Sequence, residues 1–268
     1  MTTLQVIGQG ALLFVAALMA GALNSVAGGG SFISTPALLS VNVPLLNSNA
    51  TNTMSLWPGT MASAGAYRDR FGTVPRGMMI LLIIVSLIGG DLGARLLLKT
   101  PNDTLSRLFP FLFLIAVSLF TFGNTISTRL RQRMRRNDGD TPTRRPTWLI
   151  YGGVAVLQIF IAVYGGYFGG GIGIMMLAAL SLTGMEDIHT MNALKTLLAS
   201  CINGTAVLEF VRNGTIWWPQ AAIMIVAAII GGYGGAYYAR KIDPKIIRYF
   251  VIVVGYSLTA YYFLHPPT

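Results

Sequence analysis

Two long stretches of this chain carry no charged side chain, and each is too long to be one helix. No Asp, Glu, Lys, Arg or His occurs before Arg68 or between Arg145 and Glu186. A membrane-crossing helix needs about 20 mainly apolar residues, so each stretch holds more than one segment. A single helix from Ile7 to Leu46 would run about 60 Å at ~1.5 Å per residue, roughly twice the hydrocarbon thickness. The chain has to break, and each stretch offers a glycine triplet: Gly28, Gly29 and Gly30 in the first, Gly169, Gly170 and Gly171 in the second. With 53% hydrophobic and 10% charged residues, against roughly 25% charged in soluble domains, this is an integral membrane protein.

The triplets belong to a longer repeat. They lie 141 positions apart, and Asn52 and Asn192, which follow them, lie 140 apart. Phe71-Gly-Thr-Val aligns with Asn213-Gly-Thr-Ile, and Gly89-Gly90-Asp-Leu-Gly93-Ala with Gly231-Gly232-Tyr-Gly-Gly235-Ala, both at an offset of 142. A register held this closely over about seventy positions marks a duplication, because glycine-rich apolar sequence alone would align at many offsets.

The expected fold is all-α: a polytopic membrane protein of two homologous helical repeats, 1–128 and 148–268, joined by a basic cytoplasmic linker, 129–147. Eight long helices are predicted, near Ile7–Ala27, Asn49–Tyr67, Val74–Leu98, Leu105–Ile126, Trp148–Phe168, Met191–Val211, Trp217–Ala239 and Ile246–Leu264. Two shorter apolar pieces follow the triplets, Ser31–Leu46 and Ile172–Gly184. The linker carries seven arginines against Asp138 and Asp140. Beside a hydrophobic span, such a run is a cytoplasmic anchor rather than a nucleic-acid site. With Lys195 set aside, eight plain crossings leave eleven Lys/Arg inside and seven outside. Letting each short piece also change sides gives fourteen inside and four outside. The second arrangement fits the positive-inside rule better and makes the two halves inverted.

A helix broken in lipid exposes backbone groups that must be buried in protein or face a water-filled cavity. The triplets therefore predict a cavity, and the polar residues Asn24, Ser25 and Ser31 beside the first exceed what packing requires. The paired glycines Gly89-Gly90, Gly231-Gly232 and Gly234-Gly235 are read as close-packing positions. Lys195 lies in an apolar helix with no acidic residue from Ile188 to Val207. It either faces the cavity as a fixed cation or snorkels toward the Glu186-Asp187-Ile188-His189 connection. Its repeat counterpart is the uncharged Ser55. Half-helix N-termini after Gly30 and Gly171 would add N–H groups that favour an anion. The expected substrate-binding set is Gly28, Gly29, Gly30, Ser31, Asn52, Thr53, Gly169, Gly170, Gly171, Asn192 and Lys195. Asp91 pairs with Arg95 one turn on, and Trp57, Tyr164, Tyr167, Trp217 and Trp218 are candidate interfacial anchors.

The glycine triplet after the first helix, the Asn-Thr-x-x-Leu-Trp-Pro-Gly run from Asn52 to Gly59, the Met-Asn-x-Leu-Lys run from Met191 to Lys195 and the Gly-Gly-x-x-Gly-Ala repeats resemble the TauE/SafE sulfite-exporter family of permeases, from about Gly10 to Phe263. That resemblance implies a bacterial or archaeal cytoplasmic-membrane transporter for small sulfur-containing or organic anions such as sulfite, sulfonates or sulfoacetate.

Other classes fit less well. The two histidines, His189 and His265, are far apart, and no metal-ligand spacing, nucleophile elbow, phosphate loop or dinucleotide fingerprint stands in a suitable context. No catalytic residue, metal or cofactor is expected. An anion channel is the alternative, a membrane-embedded enzyme a more remote one. The expected partners are the anion, the lipid bilayer and a coupling proton or other ion, with a homo-oligomer compatible and nucleic acid excluded. Cys201, the single cysteine, can form no intrachain disulfide and is read as a small core residue. The first apolar stretch lacks a basic leader and contains the start of the repeat, so it is read as retained rather than as a signal peptide.

Overall fold

The computed structural model of the protein describes residues 3–26, 29–66, 68–137, 147–183, 185, 187–238 and 244–267. These form ten α-helices and one 3-10 turn, Arg68–Thr73. Eight helices are long: α1 (Thr3–Val26), α3 (Leu45–Ala66), α4 (Arg76–Lys99), α5 (Asn102–Asn137), α6 (Thr147–Tyr167), α8 (Ile188–Arg212), α9 (Trp218–Tyr238) and α10 (Pro244–Leu264). The remaining two, α2 (Ser31–Ser40) and α7 (Ile172–Ser181), have ten residues each. At ~1.5 Å per residue each covers about half of a bilayer core, and both begin directly after a triplet.

Several boundaries differ from expectation for local reasons. The chain turns between Val41 and Pro44, with Asn42 in the left-handed region (φ 62), and α3 then starts four residues earlier than predicted, at Leu45. Pro44 initiates it by accepting from Ser48 N–H at 2.7 Å. Helix α5 continues to Asn137, through the first nine positions of the expected linker. The rest of that linker up to Pro146, Gly28, Glu186 and the basic pair Arg240-Lys241 lie outside the described residues.

Among the described residues, four helical segments are long and apolar enough to cross a membrane: Leu4–Asn24, Arg76–Lys99, Asn102–Gly123 and His189–Arg212. Large apolar side chains such as Ile80, Ile88, Phe111, Phe160 and Val253 are more than half exposed, a surface suited to lipid. Helix α3 is absent from that group because it is polar, and the structure shows why this is tolerated. Ser48, Asn49, Thr51, Asn52 and Ser55 are buried, since α3 lies between α8 and α9 in the centre of the bundle. Its hydroxyls bond back to the helix, Thr53 Oγ1 to Asn49 O and Ser55 Oγ to Thr51 O, which satisfies them without water.

Contacts between helices come in matched sets. Helix α1 packs on α9 as α6 packs on α4, and α3 packs on α9 as α8 packs on α4. At the crossings, glycine replaces side chains so that backbones touch. A Cβ on Gly93 would strike Val163 O, and one on Gly166 would strike Gly90 O, locking α4 to α6. Gly21 and Gly231 play the same part against Ala228 and Leu18, locking α1 to α9. In the absence of a hydrophobic drive between helices in lipid, such close approach supplies the association energy.

Hydrogen bonds fix the helix directions. Helices α3 and α8 run antiparallel, since Asn47 Nδ2 donates to Thr215 O at 2.7 Å and Trp57 Nε1 to Ser200 O at 3.1 Å. Helices α5 and α10 are also antiparallel, with Phe111 against Phe263 and Ser118 against Tyr256. Helices α4 and α8 are parallel, from Thr73 against Thr190 at one end to Arg95 against Glu209 at the other.

The N-cap of α8 provides a pH test of stability. Asp187 accepts from Thr190 Oγ1 at 2.7 Å, His189 N–H at 3.0 Å and Thr190 N–H at 3.2 Å. The Thr190 hydroxyl first, then the His189 amide, hold its carboxyl below the usual range. Its stabilisation is therefore present above the ordinary carboxylate range and lost as pH falls through the lowered folded value. Asp187→Ala should lower the thermal midpoint at neutral pH, and the gap to the unaltered protein should close as the pH is taken down through the carboxylate range. A gap that stays constant would show that the charge contributes nothing.

Candidate functional site

The two triplets do break the chain, and each break is held by side chains from elsewhere. In the first, Gly29 takes φ 91, Asn24 Oδ1 accepts from Gly30 N–H at 2.9 Å, and the chain turns back along α1. Asn52 of α3 then ties down the start of α2: its Oδ1 accepts from Ser34 Oγ at 2.5 Å and its Nδ2 donates to Ser31 Oγ at 3.2 Å. In the second break Gly169 and Gly171 take φ 81 and 77, values that favour glycine. The carbonyl of Tyr167, freed where α6 ends, accepts from Asn49 Nδ2 of α3 at 3.2 Å. A residue of the first half thus satisfies the backbone of the second.

Between the breaks lies a cavity of about 130 Å³, walled by α1, α3, α8, α9, one residue of α5 and both broken segments. It is several times the roughly 10–15 Å³ that one water needs. Of the predicted residues, Gly29, Ser31, Asn52, Thr53, Gly169, Gly171 and Lys195 line it. Gly30 and Gly170 do not. A Cβ on Gly30 would meet Ala20 O, and one on Gly170 the ring of Phe168 and Ala116, so these two glycines serve close packing. Asn192 does not line it either, but accepts from the ammonium of the lining Lys195 through its Oδ1 at 3.0 Å. Gly28 lies outside the described residues.

The orientation of Lys195 separates the two readings of it. Its side chain lines the cavity and runs across the first turn of α7, with Cδ 3.4 Å from where a Cβ on Gly173 would be. Its Nζ donates to Asn192 Oδ1, one turn toward the α8 N-terminus. Among the described residues no carboxylate lies within ion-pair distance of it. Helix α7 has no side-chain cap, so its first-turn N–H groups and the positive end of its dipole open toward the same space as the ammonium. Helix α2 differs, because Asn24 Oδ1 accepts from its Gly30 N–H and the Phe32 and Ile33 amides bond to Gly29 O and Gly30 O. The cavity thus joins one cationic side chain, several neutral amides and hydroxyls, and the start of α7 within a largely apolar wall.

Sequence reasoning missed Asn203, Thr196 and Gly173, which also line the cavity. Lys195, Ala199 and Asn203 follow at four-residue steps along α8, a helical stripe that could have been projected from the lysine. The Asp91–Arg95 pair forms at 3.0 Å, but Arg95 also reaches Glu209 of α8 at 3.4 Å, and Glu209 pairs with Arg212 at 3.1 Å. These four charges balance at one end of α4 and α8, away from the cavity. The candidate anchors Trp57, Tyr164 and Tyr167 also make hydrogen bonds within the protein. Their polar atoms bond to Ser200 O, Leu112 O and Thr100 Oγ1 inside the bundle.

A family profile described as Sulfite exporter TauE/SafE matches residues 13–262. The chain belongs to the TauE/SafE family. It is 31% identical over 251 residues to a probable membrane transporter protein, ORF9, of a Sinorhizobium species, covering 92% of this chain and 90% of that one. It is 26% identical to a probable membrane transporter protein of Haemophilus influenzae, covering 93% and 92%. To the probable membrane transporter protein YfcA of Escherichia coli K12 it is 27% identical, covering 93% and 87%. No solved structure is significantly similar. This TauE/SafE protein is therefore a multi-pass membrane transporter of the cell membrane.

Proposed function

We propose that this TauE/SafE protein is a secondary transporter, not an enzyme, and moves small sulfur-containing or organic anions such as sulfite and sulfonates by alternating access. The observation that carries the reading is the Lys195 ammonium in a cavity formed where both helix breaks meet, with no carboxylate among the described lining residues. A sulfite or sulfonate group presents three oxygens to donors of this kind, and the Lys195 ammonium and the start of α7 supply positive potential beside it.

Alternating access is supported by the geometry expected of inverted repeats, whose equivalent helices run in opposite directions about a central site. The sequence equivalents α3 and α8 are antiparallel, as are α5 and α10. Arg95 and Arg212 meet at one end of the bundle through Glu209, whereas Arg70 sits with Asp187 at the other. That grouping agrees with the inverted charge tally of fourteen to four and not with eight plain crossings.

The test is a binding screen on detergent-purified protein with sulfite, methanesulfonate, sulfoacetate, sulfate and small carboxylates. The expected result is thermal stabilisation by small sulfur oxyanions, about 2.7 kcal/mol at a hundredfold excess over Kd. Stabilisation by cations or neutral solutes, and not by anions, would remove the reading.

A further inference from the structure

We propose that the site makes this protein an exchanger of singly charged anions, in which one anion is released on each side only against entry of another. The inference rests on the anion-transport reading above and adds the stoichiometry and coupling of the same site.

The argument is a charge count. The chain has nine acidic residues, and none precedes Asp69 or falls between Asp140 and Glu186, so α1, α2, α3, α6 and α7 contribute none to the cavity wall. Of those described, Asp69 and Asp187 lie with Arg68 and Arg70 at the end of the bundle opposite Arg95 and Arg212, and Asp103 is in the first turn of α5. Asp91 and Glu209 are balanced by Arg95 and Arg212. Among the described residues lining the cavity, Lys195 is the single charged side chain, and the others are Gly, Asn, Ser, Thr, Ala, Leu, Ile and Phe. The neutral amide of Asn192 is its hydrogen-bond partner.

Alternating access requires the cavity to close to one side before it opens to the other. Closing it empty must either take an unpaired ammonium out of water or strip its proton, and both are costly. Closing it over the ammonium and one monoanion encloses a neutral pair. Closing it over a dianion leaves an unpaired negative charge. The carrier therefore changes sides quickly when it holds one monoanion and slowly when empty or holding a dianion. A slow empty return means that net movement is throttled, while exchange runs freely.

The experiment uses the full chain in liposomes, with labelled methanesulfonate outside and the membrane potential clamped to zero by valinomycin and potassium. One set of vesicles holds unlabelled methanesulfonate, and the other holds only a large impermeant anion. Uptake at least tenfold faster into the methanesulfonate-loaded vesicles is the expected result, together with little trans-stimulation by internal sulfate. Equal uptake into both sets would overturn the exchange proposal while leaving anion transport intact. No uptake in either set would overturn the anion reading and the proposal with it. Lys195→Gln removes the fixed charge, so the ratio of exchange to net uptake should fall toward one even though the variant binds more weakly, whereas Lys195→Arg should keep the ratio high. A ratio unchanged in Lys195→Gln would show that the lysine does not impose exchange.

Discussion

Gly166→Leu should destabilise the protein by at least about 3 kcal/mol, the upper end for overpacking, while Gly153→Leu on the same helix should change stability by no more than ~0.5 kcal/mol. Both positions are glycines of α6, so helix propensity favours leucine equally at each. What differs is the neighbour. A Cβ at Gly153 meets nothing within 4 Å. One at Gly166 would fall on Gly90 O and crowd Ala94 N, and backbone cannot rotate away as a side chain can. The α4–α6 crossing must then open, and with it the close packing that stands in for hydrophobic association in lipid. Gly93→Leu should act through the same separation, because its Cβ would strike Val163 O. The double variant should accordingly cost less than the sum of the two singles. Thermal unfolding in detergent measures all four proteins, and a Gly166→Leu midpoint equal to that of Gly153→Leu would show that the crossing is loose.

These crossings illustrate what can be read from sequence. Gly89-Gly90 and Gly231-Gly232 announce close packing because no other residue type allows it, but sequence does not say which helix approaches. Gly89 meets α6, Gly90 meets α8 and Gly231 meets α1, so each half of the chain packs on helices of the other. The short helices that follow the two triplets were legible for a similar reason. Length against bilayer thickness forces a break, and only glycine offers one. The start of α3 was not legible, because a polar segment rich in Asn, Ser and Thr reads as a loop until the helices around it are known. Within the site, Lys195 could be found as an unpaired charge in an apolar helix. Asn192 and the pair Gly30 and Gly170 follow the same motif yet do not line the cavity, and a shared motif does not carry rotational position. Asn203 sits in no motif and emerges only from the stripe that Lys195 begins.

Lys195→Gln should weaken binding of methanesulfonate by about tenfold to a hundredfold, equivalent to 1.4–2.8 kcal/mol. Two unit charges about 4 Å apart at an effective dielectric near 20 attract by roughly 4 kcal/mol. Part of that attraction is spent on removing both ions from water. Glutamine keeps much of the length and can still donate to Asn192 Oδ1, which now holds the ammonium at 3.0 Å, so the wall should survive while the charge is lost. Lys195→Arg should retain more affinity than Gln, though its planar fork presents a different donor geometry across Gly173. Asn203→Ala removes a neutral lining amide and should cost only about 0.5–1.5 kcal/mol. Asn52→Ala should act differently again, loosening the start of α2 because its amide bridges Ser31 and Ser34. Calorimetric titration of correctly inserted protein gives the ordering, with Lys195→Gln expected to lose the most. If Lys195→Gln bound the anion as tightly as the unaltered protein, the helix N-termini alone would hold it, and the lysine would have no part in recognition.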